Sequence, residues 1–155
     1  MKRTTIFITD DDYDDYDFLK SAFDELDESY EIRHYINGKE LINTLDNCSL
    51  SEMPEVIILD INMPKMNGIT TLEYIKTGAR LKHIPVVMYT TTNDPEQIKQ
   101  CYVLGANGFI TKGTTLESVK ACAKNVCNYL KVLQNFPGNL AVLHSCTFVS
   151  INSTK

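Results

Sequence analysis

The sequence lacks the features that mark membrane-spanning, secreted and disordered proteins. None of the apolar runs in its 155 residues approaches the roughly 18 residues of a transmembrane helix, and residues 1–10 lack the apolar stretch of a signal peptide. There are only 7 glycines and 5 prolines, whereas 43% of the residues are hydrophobic. We therefore expect a soluble cytoplasmic protein that folds as one domain, with or without an appendage.

Basic residues are too few and too scattered to form a nucleic-acid-binding surface. The 15 Lys and Arg residues are outnumbered by 20 Asp and Glu residues, and they form no basic run. Eleven of the acids lie between Asp10 and Glu31, where Lys20 is the only basic residue, so this segment carries a charge of −10. The remainder of the chain, whose total charge is −5, therefore carries +5. This distribution favours a cation as the ligand.

The cysteines give no sign of a zinc or redox site. Their number is odd, and no C-x-x-C pair is present. Because free cysteine packs as a small hydrophobic residue, we expect reduced and mostly buried thiols at Cys48, Cys101, Cys122, Cys127 and Cys146.

Short apolar runs typical of strands alternate with helical patterns five times. The predicted strands are residues 4–9, 31–36, 55–59, 84–89 and 108–111. Apolar residues at helical spacing predict a helix after each strand, the second of them over residues 38–45. The fourth helix begins at Asn93 or Asp94 with Pro95 in its first turn. With right-handed crossovers, this pattern predicts an α/β fold with a doubly wound, five-stranded parallel sheet.

Polar side chains follow four of the predicted strands. The first strand ends at Asp10, Asp11 and Asp12, the third at Asp60, the fourth at residues 90–92 (TTT) and the fifth at Lys112. Because the carboxyl ends of parallel strands meet at one edge of a sheet, we expect these groups to converge. Carboxylates about 4 Å apart repel by roughly 4 kcal/mol near a protein surface unless a proton or a cation lies between them.

The chemistry of this set matches phosphoryl transfer. Mg²⁺ is usually held by one or two carboxylates together with water and a phosphate oxygen. Asp60 can act as a nucleophile that forms an aspartyl phosphate, and Lys112 and the hydroxyl of Thr90 can bind the phosphoryl oxygens. The sequence therefore predicts a site for Mg²⁺ and a phosphoryl group.

The segments that carry these residues resemble the receiver domain of two-component response regulators over about residues 4–134. They are IFITDDD (6–12), VIILDINMPKMNG (56–68), IPVVMYTTT (84–92) and GANGFITK (105–112). The chain looks most similar to stand-alone, single-domain receivers of the chemotaxis- and phytochrome-associated kind. The resemblance implies a flavodoxin-like (βα)₅ receiver domain over residues 1–134. Residues 135–155 are then a C-terminal extension of unknown structure, for which an added strand, a dimer contact and a loosely ordered tail remain open.

The resemblance also implies a role for each acidic residue of the site. Asp60 matches the phosphoacceptor, Asp11 a direct Mg²⁺ ligand and Asp10 an acid that acts largely through a metal-bound water. Asn62 matches the position whose backbone carbonyl completes the metal shell, and Asp12 leaves a one-residue shift in ligation open. We interpret the following acids as solvated residues of a helix N-terminus: Asp14, Asp15 and Asp17.

A second group of residues matches the switch of the family. Thr90 corresponds to the switch hydroxyl, Lys112 to the phosphate-binding lysine and Phe109 to the aromatic residue whose rotamer follows that hydroxyl. Two residues depart from the family pattern. Gly113 replaces the usual Pro, which removes the cis X-Pro bond that commonly shapes this loop, and Thr91 replaces a frequent Ala.

The resemblance implies a phosphorylation switch that is not an enzyme toward other substrates. We expect a sensor histidine kinase or phosphotransfer protein to phosphorylate Asp60 with Mg²⁺ as the cofactor, and the change to reach a face formed by the fourth helix, fifth strand and fifth helix. This face includes Gln97, Gln100, Lys120 and Lys124. The readout is a contact with a downstream protein or a second copy of the chain, and involves neither nucleic acid nor membrane.

Three alternatives are open. A haloacid dehalogenase-like hydrolase needs an acid two residues after the nucleophile, where this chain has Asn62. A flavin-binding domain needs a Ser-, Thr- or Gly-rich loop after the first strand, where this chain has acids that repel phosphate. A degenerate receiver would act as an adaptor whose binding does not depend on phosphorylation.

Overall fold

The computed structural model describes residues 3–26 and 29–135, and within them the predicted α/β fold with a doubly wound parallel sheet is confirmed. Residues 136–155, and with them nearly all of the predicted C-terminal extension, lie outside the described residues. The elements are β1 (Thr4–Thr9), α1 (Tyr13–Asp24), β2 (Tyr30–Tyr35), α2 (Gly38–Asn47), a 3-10 turn (Leu50–Glu52), β3 (Val56–Leu59), α3 (Gly68–Thr77), β4 (Val86–Thr90), α4 (Pro95–Val103), β5 (Gly108–Thr111) and α5 (Leu116–Asn135).

The sheet is buried on both faces by helices. Its strand order is β2-β1-β3-β4-β5, and every neighbouring pair is parallel. Val56 and Ile58 of the central strand pack on the side of α1 and α5, whereas Ile57 and Leu59 pack on the side of α2, α3 and α4. Burial on both faces explains why this strand has an uninterrupted apolar sequence.

Several element boundaries differ from the predictions by one or two residues. β2 begins one residue earlier than predicted, and α2 extends to Asn47 rather than ending at residue 45. β4 begins at Val86, after Pro85, which has no N–H to donate to a neighbouring strand, and it extends to Thr90. Apolar periodicity did not indicate the 3-10 turn, which is closed by a capping box between Ser49 and Glu52.

Short polar side chains fix the start of each of the first four helices. Asp12 accepts hydrogen bonds from the backbone N–H groups of Asp14 and Asp15, and it therefore caps α1. Asp94 caps α4 with Pro95 in the first turn, which settles the choice between Asn93 and Asp94. The caps of α2 and α3 are Asn37 and Asn67.

The described cysteines are free thiols, as expected. Of the five cysteines, Cys101, Cys122 and Cys127 are buried free thiols and Cys48 is a partly buried one, whereas Cys146 lies outside the described residues. Among the described residues, we find no helix with the length and apolarity required to cross a bilayer.

Gly68 allows α3 to begin directly against the end of β3. Its N–H donates to the backbone oxygen of Ile61 over 2.8 Å, and a Cβ atom at this position would overlap the backbone oxygen of Asp60. The contact is with backbone rather than with a flexible side chain, so it cannot be relieved by a rotamer change. Gly68 therefore sets how closely α3 approaches the residue that follows β3.

We expect Gly68→Ala to lower the free energy of unfolding by roughly 2–3 kcal/mol, because the new methyl group must displace backbone. Gly78→Ala is the matched control, since a Cβ there would lie 3.3 Å or more from its neighbours. Its effect should stay below about 1 kcal/mol. Urea denaturation followed by circular dichroism measures both values, and equal values for the two variants would contradict the steric role of Gly68.

Candidate functional site

Three carboxylates converge where β1 and β3 end. Asp10, Asp11 and Asp60 each place a carboxylate oxygen within 4.8 Å of the others. Asp10 and Asp60 are only 2% and 7% exposed, whereas Asp11 is exposed. The backbone holds the two buried acids in place, because Asp10 N–H donates to Tyr35 O and Asp60 N–H donates to Thr9 O, each over 3.0 Å. The predicted convergence of the acids at this edge of the sheet is therefore found.

Lys112 inserts its ammonium group among these acids. Its Nζ lies 2.6 Å from a carboxylate oxygen of Asp10 and 3.3 Å from one of Asp60. A third carboxylate, that of Asp15, lies 2.8 Å from the same nitrogen. The Lys112 side chain is 7% exposed, and its backbone N–H donates to Thr90 O over 2.7 Å. The end of β4 thus fixes where the lysine enters the site.

The pKa values of Asp10 and Lys112 are both raised, but the dominant cause is burial for Asp10 and ion pairing for Lys112. Desolvation raises the pKa of Asp10 to about 6, because it outweighs the opposing effect of the Lys112 ammonium. Burial acts to lower the pKa of Lys112, but its hydrogen bonds to Asp10 and Asp15 and the charge of Asp60 outweigh burial and raise it above 10.5. Lys112 is therefore protonated at neutral pH, and Asp10 is mostly ionised there but takes up a proton at a higher pH than an ordinary aspartate does.

The hydroxyl of Thr90 is buried at the end of β4 without a partner. Thr90 is fully buried, and its Oγ1 makes no hydrogen bond within the described ranges. Phe109, which pairs with Met88 in the neighbouring strand, is 2% exposed and packs in the core on the α3 and α4 side of the sheet. A buried hydroxyl without a partner is unfavourable, so this position suits a ligand that supplies an acceptor.

Asp15 is a site residue that the sequence analysis missed. We expected it to be a solvated helix acid like Asp14, but its carboxylate pairs with Lys112. Its position in the sequence could have indicated this role. Asp15 follows the cap Asp12 by three residues, and residues at this spacing lie on the same face of a helix, here the face next to the site. Asp12 itself points its carboxylate at the helix N-terminus.

Three other residues singled out from the sequence lie outside the cluster of carboxylates and lysine. Asn62 is exposed and lies in the loop two residues after Asp60. Gly113, which follows Lys112, packs against α5, since a Cβ there would overlap the side chain of Ser118. Lys120 forms an ion pair of 2.6 Å with Glu25, so it faces the end of α1 rather than α4.

The donor set of the site suits a hard cation and a tetrahedral anion together. Carboxylate oxygens from Asp10, Asp11 and Asp60 are the ligands that Mg²⁺ and similar ions prefer. The ammonium of Lys112 and the unpaired hydroxyl of Thr90 are donors that could bind anionic oxygens next to Asp60. Thus the residues present fit both groups.

The chain is similar to known proteins, and a family model covers most of its length. The sequence profile described as "Response regulator receiver domain" matches residues 6–124. The two-component response regulator ORR3 of rice (Oryza sativa subsp. indica) is 36% identical over 83 residues, which make up 54% of this chain and 61% of the rice protein. The aligned part of the chain thus spans less than two thirds of this relative.

Two solved structures have the same fold. The phosphorylated cyanobacterial phytochrome response regulator RcpA superposes with a TM-score of 0.77 at 27% identity, covering 83% of this chain and 94% of RcpA. The Mn²⁺-bound form of the response regulator Rcp1 superposes with a TM-score of 0.72 at 25% identity, covering 79% of this chain and 91% of Rcp1.

The raised pKa of Asp10 should make stability fall as the pH rises. Between a pKa of 3.8 for the unfolded chain and about 6 for the folded protein, the folded state holds a proton that the unfolded chain has lost. With EDTA present, we compare the unfolding free energy of the wild type with that of Asp10→Asn at each pH. Between pH 4 and pH 7, the wild type should lose roughly 2–3 kcal/mol more than the variant does. Urea titrations across this range measure the difference. Asp14→Asn, which removes an exposed acid from α1, should follow the wild type, and a parallel profile for Asp10→Asn would refute the desolvation of Asp10.

Proposed function

Because the chain belongs to the response regulator receiver family, we propose that it is a phosphorylation switch in which Asp60 accepts a phosphoryl group. The observation that carries this proposal is the position of Asp60 within 3.3 Å of the Lys112 ammonium and inside a three-carboxylate cluster. Receiver domains are phosphorylated by histidine kinases or phosphotransfer proteins, and the family is typically a switch rather than an enzyme. A partner of this kind is the phosphodonor we propose for this chain.

The metal site we propose consists of Asp10, Asp11 and Asp60 with the backbone carbonyl of Asn62. The convergence of the three carboxylates supports this assignment, as does the Mn²⁺-bound form of the similar regulator Rcp1. When bound there, Mg²⁺ supplies positive charge that offsets the repulsion between the acids and the incoming phosphoryl oxygens. We propose that Asp11 and Asp60 would ligate the metal ion directly, whereas Asp10 would act largely through a metal-bound water.

In the proposed reaction the Asp60 carboxylate attacks the phosphorus of a phosphohistidine on the partner. A bond forms between a carboxylate oxygen of Asp60 and phosphorus, the P–N bond breaks, and the electron pair of that bond remains on the imidazole nitrogen. Lys112 donates hydrogen bonds to the transferred oxygens. Part of its positive charge, which now interacts with Asp10 and Asp15, then stabilises the phosphoryl group. Exclusion of water by the buried surroundings of Asp60 strengthens these interactions.

The switch we propose begins with Thr90. Its unpaired hydroxyl donates to a phosphoryl oxygen, which draws the loop after β4 toward Asp60 and leaves space into which Phe109 turns.

The changed face is formed by α4, β5 and α5 and includes Gln97, Gln100 and Lys124. Lys120, which pairs with Glu25, belongs to the α1 side instead. A downstream protein or a second copy of the chain binds this face, and residues 1–134 form the domain that carries the switch.

Phosphorylation of Asp60 can be tested with acetyl phosphate and Mg²⁺. We expect intact-mass spectrometry to show one phosphoryl group on the wild type, none on Asp60→Asn and one on Asp17→Asn, the control for an exposed acid on α1. EDTA should abolish the adduct, because the carboxylates then repel the donor without compensation.

A label that persists in Asp60→Asn would contradict the choice of phosphoacceptor. A wild type that neither accepts phosphate nor changes its melting temperature with beryllofluoride, under conditions that label a known receiver, would favour the phosphorylation-independent adaptor instead.

Thr90→Val tests the switch hydroxyl. It keeps the side-chain shape and removes a buried hydroxyl without a partner, so it should raise the unfolding free energy of the unphosphorylated protein by about 1 kcal/mol. It should also reduce the gain in melting temperature on adding beryllofluoride with Mg²⁺. Thr9→Val is the matched control, because the Thr9 hydroxyl is likewise buried and makes no hydrogen bond in the described part of the chain. An undiminished beryllofluoride response in Thr90→Val would refute the role of Thr90.

A further inference from the structure

Asp15 shares the lysine of the site without belonging to the cluster of carboxylates that could hold a metal. Its carboxylate oxygen lies 2.8 Å from Lys112 Nζ, which is closer than the 3.3 Å between Lys112 and Asp60. The cluster of mutually close carboxylates consists of Asp10, Asp11 and Asp60. The mechanism described above gives Asp15 no role of its own.

Asp15 lies on the open side of the ion-pair network. Its side chain is 39% exposed, whereas the side chains of Asp10 and Asp60 are 3% and 8% exposed. It projects from the first turn of α1, where the cap Asp12 fixes the helix start. Asp15 is therefore the carboxylate of this network that a molecule from solvent meets most readily.

A cavity of about 570 Å³ adjoins this open side. Asp15 and Lys112 are its two charged lining residues in the described ranges, and the rest of its wall is apolar or uncharged, including Phe18, Tyr89, Leu116 and Val119. A molecule in this cavity contacts both the ammonium that attracts phosphoryl oxygens and a carboxylate that repels them. Low-polarity walls strengthen both effects relative to bulk water.

We propose that Asp15 is a specificity-determining residue that disfavours phosphodonors of high negative charge. It acts in two ways: its charge repels an anionic donor that approaches Lys112 from the side of the cavity, and its ion pair competes with the donor for Lys112. Both effects grow with the negative charge on the donor. This inference rests on the proposed function of Asp60 as the phosphoacceptor.

Two small phosphodonors that carry different net negative charges can test whether Asp15 acts on the charge of the donor. Acetyl phosphate is a dianion at neutral pH, and its transfer forms the O–P bond to Asp60, breaks the P–O bond to the acetyl group and releases acetate. Phosphoramidate is mainly a monoanion, and its transfer forms the same bond, breaks the P–N bond and releases ammonia. Both deliver the same phosphoryl group to the same oxygen, so a difference in their response to Asp15 reports on the donor.

The experiment compares wild type, Asp15→Asn and Asp14→Asn with each donor and Mg²⁺, measuring the second-order rate constant of phosphorylation by intact mass. For Asp15→Asn we expect a rise of roughly 3–10-fold with acetyl phosphate, and of only about the square root of that factor with phosphoramidate, because the interaction scales with donor charge. The acetyl phosphate effect should shrink at high KCl. Asp14→Asn makes the same charge change from an exposed position and should stay within about two-fold of wild type.

Equal acceleration with both donors, a response matched by Asp14→Asn, or slower transfer with both donors would each overturn the role of Asp15. The last result would mean that Asp15 is needed to orient Lys112. Failure of the proposed function looks different, because the wild type would then accept phosphate from neither donor. Unchanged melting temperatures of the variants without donor show that the comparison is between folded proteins.

Discussion

Desolvated negative charge at the carboxyl edge of the sheet is the constraint on which the rest of the structure depends. Asp10 and Asp60 are almost completely buried, although an isolated carboxylate is strongly disfavoured away from water. Lys112 offsets part of this penalty by direct ion pairs of 2.6 Å and 3.3 Å. One ammonium cannot neutralise this many acids, so the described residues leave the site with excess negative charge that suits a divalent cation.

The sheet supplies the rigidity that holds these like charges together. Asp10, Asp60 and Lys112 each follow a strand directly, and backbone hydrogen bonds to Tyr35, Thr9 and Thr90 fix where each side chain begins. Apolar side chains cover both faces of the strands, and their burial stabilises the fold enough to tolerate an unfavourable cluster at its edge. The core therefore makes the site possible, although it takes no part in the chemistry.

The sequence predicted the location of the site better than its internal contacts. Asp60 and Lys112 could be placed because strand ends are visible as the ends of apolar runs, and parallel strands bring their ends to one edge. Asp15 could not be assigned in this way, because many acids surround it and only the rotation of α1 about its axis separates it from Asp14. That rotation is set by the packing of Leu19 and Phe23 against the sheet together with the cap at Asp12. The end of α2 was missed for a similar reason, since its last two residues, Asp46 and Asn47, are exposed and polar and carry no apolar periodicity.

The two hydrogen-bond donors of the site, Lys112 and Thr90, differ in how many partners they have, and this difference determines how each would respond to an anion on Asp60. Lys112 has three carboxylate partners, whereas the buried hydroxyl of Thr90 makes no hydrogen bond among the described residues. An anionic group attached to Asp60 would add acceptors between these two donors. It would satisfy Thr90 at the cost of moving β4's end, and it would draw Lys112 away from Asp15, the most exposed of its partners. The ion pair that water screens most is therefore the one on the open side of the site, where α1 meets the cavity. A rearrangement around Lys112 would change the exposed surface at Asp15.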